Sequence, residues 1–251
     1  MKLLTFNVKL STYVDEIIAT IDSVMNGDQP DYICLQEYQP NKQLEKYLTE
    51  KGYRYSTFEY LFKERKQWHQ NLLTAYRKDI DLLNTYTTIL NESKLLGETK
   101  GVMIMEVNRD GQKEFVVNVH LPILRKDTVK FEDLIGFVNE NTGSLNYPVY
   151  ICGDFNSVRK KSHDMLVKLM EDSGFKNVCP SKETFSYLTN SEIRTERKHI
   201  DPILDKIKFK NDWIFANLKA LENMSVYSQI LHNALGSDHD PVYLELEKQA
   251  A

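Results

Sequence analysis

The sequence predicts an α/β fold in which two β-sheets pack face to face with helices on their outer sides. Nine apolar or alternating runs of five to ten residues, rich in Val, Ile, Tyr and Phe, have the composition and boundaries of strands. Amphipathic helical patterns separate some of these runs. No Gly/Ser linker or charge block divides the chain, so we expect a single domain over residues 1–251.

The strand-like runs are bounded by Gly, Pro, Asn or Asp. In chain order they are residues 2–8, 31–37, 53–62, 71–77, 101–107, 114–121, 148–155, 212–218 and 241–247. In the run 241–247, Val242, Leu244 and Leu246 alternate with Tyr and Glu and are expected to face the core. Pro241 lacks an N–H and suits the first position of a strand.

Four segments have apolar residues at helical spacing, namely residues 12–27, 41–52, 130–141 and 162–174. In the first segment Ile17 and Ile21 share a face with further apolar residues, and Gly27 is the expected stop. Gly174 closes the fourth segment in the same way. These helices are expected on the outer faces of the sheets.

Composition indicates an ordinary soluble globular protein, with 41% hydrophobic and 27% charged residues. The net charge of -4 argues against nucleic-acid binding over the whole surface but leaves room for a local basic groove. Cys34 and Cys152 lie in apolar runs, and with Cys179 they form no CxxC pair, which favours reduced thiols and a reducing compartment. Without a signal peptide or an apolar run of about 20 residues, we expect a cytoplasmic monomer with no membrane partner.

Polar residues of a few types recur at the ends of the predicted strands. Each has an ordinary interpretation alone, such as a strand terminator, an Asx turn or a buried histidine. Together they can converge on one rim of a two-sheet core, where rigid strand ends are suited to chemistry. They are Asn7, Glu37, His120, Asp154, Asn156, Asp212, Asp238 and His239.

The motifs that carry these residues resemble those of the endonuclease/exonuclease/phosphatase superfamily, which includes deoxyribonuclease I, sphingomyelinases, inositol polyphosphate 5-phosphatases and deadenylases. The matching blocks are "LLTFNV", "LQE", "NVHL", "GDFNS", "DWIFA" and "SDHDPV", in the family's order and over nearly the whole chain. The resemblance implies a four-layer α/β sandwich of two mixed β-sheets with outer helices. It also implies a divalent-metal-dependent phosphoesterase.

The resemblance assigns a metal site to Glu37 as principal ligand, with Asp238 and Asn7 nearby. Oxygen ligands with several waters suit Mg²⁺, with Mn²⁺ as a substitute. Two positions depart from the family pattern. Lys9 stands where AP endonucleases carry an acidic residue, and Asp240 stands where a bulky or aromatic residue is common.

The resemblance also assigns the catalytic roles. Asp154 would orient and deprotonate the attacking water, and Asn156 would hold that water or a phosphate oxygen. His239 would face the scissile phosphate with Asp212 on its other ring nitrogen, and His120 would be a second phosphate donor.

The substrate is left open between two phosphoester classes. We expect the segments 62–71 and 193–201 to lie in loops next to the matched strands. Their basic and aromatic residues, including Trp68 and Arg197, are candidate substrate contacts, although solvated loops would have the same composition. They favour a nuclease or nucleotide phosphodiesterase acting on DNA or RNA. The alternative is a soluble sugar or inositol phosphate phosphatase. A non-catalytic binding module is disfavoured because none of the residues assigned to catalysis is missing.

Overall fold

The computed structural model describes residues 1–25, 29–63, 68–91, 99–122, 126–143, 145–157, 160–179, 185–186, 208–232 and 234–249. The strands are β1 Lys2–Asn7, β2 Tyr32–Tyr38, β3 Tyr53–Lys63, β4 Trp68–Arg77, β5 Asp81–Asn91, β6 Thr99–Arg109, β7 Gln112–His120, β8 Val149–Asp154, β9 Phe175–Asn177, β10 Phe185–Ser186, β11 Lys208–Phe209, β12 Asp212–Asn217, β13 Met224–Ile230 and β14 Val242–Lys248. The helices are α1 Val14–Val24, α2 Lys42–Glu50, α3 Asp127–Thr142, α4 Lys160–Asp172 and α5 Leu218–Leu221, with a 3₁₀ turn at Lys9–Ser11.

Twelve of these strands form two six-stranded sheets. Sheet I has the order β13-β14-β1-β2-β4-β3, and sheet II has the order β5-β6-β7-β8-β12-β9; β10 and β11 form a separate pair. Both sheets are mixed, because each has one parallel pair, β1 with β2 and β7 with β8, among antiparallel neighbours. The expected pair of mixed sheets is therefore confirmed.

Three large apolar clusters fill the spaces between the four layers, and a small fourth cluster contains Tyr60, Leu72 and Met103. The central cluster joins the two sheets and contains Leu3 and Val116. A second cluster packs α1 and α2 on sheet I, and a third packs α3 and α4 on sheet II. Adjacent residues of one strand enter different clusters, as with Leu3 and Leu4, because strand side chains alternate between faces. Each fully buried Leu contributes about 2 kcal/mol to folding.

The helices begin and end where local chemistry favours it. The Asn41 side chain accepts hydrogen bonds from the N–H groups of Gln43 and Leu44 and so caps α2. Gly143 follows α3 with φ of 67°, a left-handed conformation that a glycine adopts without strain. None of the helices in the described ranges has the length and apolar character needed to cross a bilayer.

All nine predicted strands and all four predicted helices are present, with boundaries shifted by a few residues. Val242, Leu244 and Leu246 enter the central cluster as expected, whereas Tyr243 is buried against the opposite face of sheet I. The expectation that residues 68–70 belong to a loop was wrong, since β4 begins at Trp68. Gly27 and residues 193–201 lie outside the described residues.

Two long strands, β5 and β13, were missed. Both lie at sheet edges, and most of their described side chains are exposed or only half-buried. An edge strand that buries little has no reason to keep an apolar alternation, so its sequence resembles that of a loop.

Candidate functional site

The strand pairing brings the polar residues at the strand termini to the same end of the two sheets. Carboxyl ends of parallel neighbours lie side by side, so His120 at the end of β7 is in register with Asp154 at the end of β8. The antiparallel β12 begins beside β8, which places Asp212 opposite Asp154. In sheet I, β1 ends at Asn7, and its parallel neighbour β2 ends one residue after Glu37. We define the pole as this end of the two sheets, where β1, β2, β7 and β8 terminate and β12 begins.

Asp154 is the centre of the pole and is almost fully buried. Its Oδ2 accepts a hydrogen bond from Asn7 Nδ2 at 3.1 Å and lies 3.6 Å from His120 Nε2 and 3.9 Å from His239 Nε2. Its Oδ1 accepts the Asn156 N–H at 2.9 Å. Burial raises the pKa of Asp154 to about 6, although the His239 charge opposes that increase.

His239 is bound to Asp212 in a buried ion pair. The two atoms that face each other, His239 Nδ1 and Asp212 Oδ2, are 2.8 Å apart. Burial alone would lower the pKa of His239, but Asp212, then Asp154 and Asp238, outweigh it and raise that pKa to about 10. His239 is therefore an imidazolium at neutral pH.

His120 has a different environment at nearly the same depth. Its Nδ1 is 2.7 Å from the Tyr60 hydroxyl, and its Nε2 lies 3.7 Å from Glu37 Oε1. Burial, with smaller contributions from the charges of Lys100 and His239, holds the pKa of His120 well below its ordinary value of 6.5. His120 is therefore neutral at neutral pH.

Glu37 lies in a β-bulge of β2, with φ of 52°. A bulge redirects the side chains of its strand, and here the Glu37 carboxylate lies near His120 while remaining 21% exposed. Its Oε1 is 3.7 Å from His120 Nε2 and 4.0 Å from Lys100 Nζ. Neither distance is a hydrogen bond, so the carboxylate keeps acceptor capacity for a further ligand.

The other two proposed metal ligands have nearby protein partners. Asp238 Oδ2 is 3.4 Å from Lys9 Nζ, and Asn7 Oδ1 accepts the Lys9 N–H at 3.1 Å. Within the described part of the chain, no three His, Cys, Asp or Glu side chains converge as a metal-binding group. Mg²⁺ commonly uses one or two carboxylates and keeps several waters, so a site based on the open carboxylate of Glu37 fits it.

Asn156 is held by its surroundings in a left-handed conformation, with φ of 46°. Its Nδ2 donates to Leu121 O at 2.8 Å, and its own carbonyl accepts from Lys130 Nζ at 3.0 Å. Lys130 is fully buried and also donates to Pro122 O at 3.1 Å. One lysine thus ties together the two loops that follow His120 and Asp154.

Several residues of the pole were not found from the sequence. Tyr60, Lys100 and Lys130 are buried although two of them are cationic, and their positions depend on tertiary contacts that no local pattern records. Lys130 at the start of an amphipathic helix and Lys100 beside Gly101 are ordinary residues in the sequence, so neither indicates a functional position. Lys9, which replaces the acidic residue of the AP endonucleases, forms an ion pair with Asp238.

Three further residues were named from the sequence, Asp240, Trp68 and Arg197. Asp240 Oδ2 is 3.0 Å from His232 Nδ1, which gives that carboxylate a surface partner. Trp68 is the first residue of β4 and pairs with Lys63, but its side chain is outside the described residues. Arg197 is outside them altogether.

Solved structures with the same fold span nearly all of this chain. A *Bacteroides vulgatus* endonuclease/exonuclease/phosphatase is 19% identical, with a TM-score of 0.69 and coverage of 99% of this chain and 98% of that one. The catalytic domain of human Nocturnin with bound sulfate is 14% identical, with a TM-score of 0.71 and coverage of 98% and 94%. A mannosyl-6-phosphatase from *Bacteroides thetaiotaomicron* is 17% identical, with a TM-score of 0.69 and coverage of 98% and 99%. No curated protein matches the sequence.

The sequence itself matches the Endonuclease/Exonuclease/phosphatase family over residues 4–239. That range begins in β1 and ends at His239, so it includes every strand end that forms the pole. The chain belongs to this family of phosphoesterases.

Proposed function

We propose that this chain is a Mg²⁺-dependent phosphoesterase that hydrolyses its substrate by attack of an activated water, and that nucleic acids or nucleotides are the substrate class. The observation that carries the proposal is the position of Asp154, which lies within 4 Å of Asn7 and of both histidines. A buried carboxylate among hydrogen-bond donors is an arrangement suited to general-base chemistry.

In this mechanism Asp154 accepts a proton from the attacking water. With a pKa of about 6 it is ionised at neutral pH and still basic enough to accept that proton. The Asn7 amide and the Asn156 N–H each bond one carboxylate oxygen and so fix its orientation. Asn156 would also contact the water or a phosphoryl oxygen.

The phosphoryl group would be bound by the two histidines. His239 supplies a positive charge, because Asp212 keeps it protonated, and this charge stabilises the anionic transition state. His120 contributes a hydrogen-bond donor. The new P–O bond forms to the water oxygen while the ester oxygen leaves with the bonding electron pair.

Glu37 would hold Mg²⁺, with Asp238 and Asn7 beside it, and Mn²⁺ would substitute. When bound, the ion would neutralise charge on the phosphoryl oxygens. Lys100 and Lys9 lie close to these carboxylates and add positive charge to the same region.

The nuclease or nucleotide phosphodiesterase preference rests on the basic and aromatic segments that contain Trp68 and Arg197. A sugar or inositol phosphate phosphatase is the second candidate, and the fold shared with a mannosyl-6-phosphatase supports it. The proposal includes a monomeric, single-domain protein in the cytoplasm. The three free cysteines support the reducing compartment.

Hydrolysis of a substrate panel tests this proposal. Single- and double-stranded DNA, RNA, nucleotides and sugar phosphates are assayed with Mg²⁺, Mn²⁺ or EDTA, using wild type, Asp154→Ala and His239→Ala. Matched controls are Asp164→Ala and His232→Ala, whose side chains are exposed. Activity that survives EDTA or either site variant contradicts the mechanism. Phosphate release from small esters alone overturns the nucleic-acid preference.

A further inference from the structure

Tyr60 links the two sheets at the pole through the ring of His120. It lies on β3 of sheet I, yet its hydroxyl is 2.7 Å from Nδ1 of His120 on sheet II. The two rings meet edge to face, with centroids 5.6 Å apart and an interplanar angle of 84°. Both side chains are at least 97% buried, so the contact is shielded from solvent.

The contact between the Tyr60 hydroxyl and His120 Nδ1 suits the phenol as donor. A phenol has one proton to donate, and an unprotonated Nδ1 accepts it. An imidazole that accepts at Nδ1 carries its own proton on Nε2.

The opposite side of the ring favours the same proton position. His120 Nε2 is 3.7 Å from Glu37 Oε1 and 3.6 Å from Asp154 Oδ2. An N–H directed toward two carboxylates is attractive, whereas a nitrogen lone pair in that position would be repelled. Contacts on both sides of the imidazole therefore agree.

Gly101 leaves room for the Tyr60 side chain to reach from sheet I to His120 on sheet II. A Cβ at position 101 would lie 2.8 Å from the Tyr60 Cβ and 3.0 Å from two ring atoms. Such contacts would displace the ring, so the absence of a side chain on β6 is what admits Tyr60 between the sheets.

We propose that Tyr60 is a positioning residue that holds His120 in the Nε2–H tautomer, so that His120 directs a hydrogen-bond donor at the phosphoryl group. The role in catalysis rests on the proposed phosphoesterase function, whereas the tautomer does not. The two histidines are then distinguished by their Nδ1 partners. The partner of His239 is the Asp212 carboxylate, and the partner of His120 is the Tyr60 hydroxyl.

Long-range ¹H–¹⁵N NMR of the histidine rings tests the tautomer directly. The His120 signals are assigned by their loss in His120→Gln. We expect a protonated Nε2 and an unprotonated Nδ1 in the wild type, and a changed Nδ1 signal in Tyr60→Phe, which keeps the ring but deletes the hydroxyl. A protonated Nδ1 in the wild type, or unchanged signals in Tyr60→Phe, overturns the proposal.

Kinetics test the positioning role. Loss of a residue that orients a functional imidazole typically costs about 10–100-fold in activity, so we expect kcat of Tyr60→Phe to fall in that range with KM nearly unchanged. The matched control is Tyr53→Phe, which removes a buried hydroxyl of the same strand that donates to Pro30 O. This control should leave kcat and the His120 signals unaltered.

Failure of the proposed function is separable from failure of this inference. A wild type that hydrolyses no ester rejects the function, yet its NMR spectrum still decides the tautomer. If Tyr60→Phe does not fold, the wild-type spectrum alone gives that decision. A kcat equal to wild type in a folded, active Tyr60→Phe rejects the positioning role.

Discussion

At the level of single residues, the two histidines of the pole have different charges because their neighbours differ. His239 and His120 are both buried and both face Asp154, yet the pKa of one is raised and that of the other is lowered. Burial acts in the same direction on both. The pKa values differ because the carboxylates of Asp212, Asp154 and Asp238 outweigh burial at His239, whereas the charges of Lys100 and His239 add to the effect of burial at His120.

Asp212→Asn should lower stability in a pH-dependent way. The folded-state pKa of His239, about 10, exceeds its ordinary value of 6.5. The pair therefore contributes fully below pH 6.5, and the contribution is lost as pH rises through about 10. We expect a loss of about 3 kcal/mol in the free energy of unfolding at pH 6 that shrinks towards pH 10.

Urea denaturation across this pH range measures the difference between wild type and Asp212→Asn. Asp164→Asn is the control, since its carboxylate pairs with Lys160 on an exposed helix face. A destabilisation by Asp212→Asn that is constant with pH would contradict the assigned charge state of His239.

Lys130→Met should impair both stability and catalysis. The variant leaves the carbonyls of Pro122 and Asn156 without the buried ammonium that now donates to both. We expect a loss of about 1–3 kcal/mol in the free energy of unfolding, together with a reduced kcat, because the Asn156 loop is less constrained. Thermal melts and steady-state kinetics measure these effects, with Lys160→Met as an exposed control. An unchanged kcat would show that the contacts of Lys130 with the two loops are not needed for catalysis.

The types of residue that form the pole could be predicted from sequence, and the family resemblance indicated Asp212 as the partner of His239, but the partners of His120 and Asn156 could not be predicted. Asp154, His120 and Glu37 stood out because polar residues ended apolar strands. Tyr60 and Lys130 did not, since Tyr in a strand and Lys in a helix are ordinary residues there. Their functions come from contacts between segments far apart in the chain.

At the level of elements, two motif residues connect the sheets beneath the pole. Asn118 on β7 and Gln36 on β2 are fully buried, and Gln36 Nε2 donates to Asn118 Oδ1 at 2.7 Å. Asn118 Nδ2 in turn lies within hydrogen-bond distance of Leu35 O and Leu73 O. This network couples the bulged strand that carries Glu37 to the strand that carries His120.

A double-mutant cycle on Gln36→Leu and Asn118→Leu should be non-additive. Each single variant leaves buried polar groups without partners and should cost about 2 kcal/mol in the free energy of unfolding. The double variant should cost less than the sum, because one substitution removes groups that the other leaves unpaired. Urea denaturation measures the cycle, with the exposed residues Lys160 and Glu222, which each pair with a different residue, as an additive reference. Strict additivity would exclude direct coupling.

Element prediction succeeded where burial leaves a pattern and failed where it does not. Strands β1, β7 and β8 are buried on most positions and were recognised as apolar runs. The edge strands β5 and β13 expose many side chains, and their pairing partners rather than their own composition specify them.

At the level of the whole molecule, a second buried ionic cluster lies at the strand ends opposite to the pole. Glu114, near the start of β7, accepts hydrogen bonds from Arg109 Nε at 2.8 Å and Nη2 at 3.0 Å. The Tyr32 hydroxyl, at the start of β2, also donates to Glu114. This cluster connects the two sheets at the end that carries none of the proposed catalytic groups.

Glu114→Gln should therefore lower stability without changing catalysis. Removing the charge that faces Arg109 in a buried site is expected to cost about 3 kcal/mol in the free energy of unfolding. We expect kcat/KM at temperatures well below the melting transition to equal that of wild type. Calorimetry and steady-state kinetics measure the two quantities, with the exposed Glu222→Gln as control. A large fall in kcat/KM would show that the two ends are coupled.

The family and the four layers could be predicted at this scale because the motifs recur from β1 to β14. The substrate could not, since the candidate contact segments 62–71 and 193–201 have a composition that is compatible with several phosphoesters. Motifs at strand ends specify a reaction, and loops specify what is bound.

The position of β14 has a consequence for synthesis of the protein. This strand lies between β1 and β13 in sheet I, and its residues 242–245 pair with residues 2–5, which come far earlier in the chain. A ribosome-bound chain stalled before residue 239 lacks the imidazolium at the pole and a strand inside sheet I. Contacts so distant in sequence form late in folding. Hydrolytic activity is therefore expected to appear abruptly, after β14 has left the ribosome, and shorter fragments are expected to be inert.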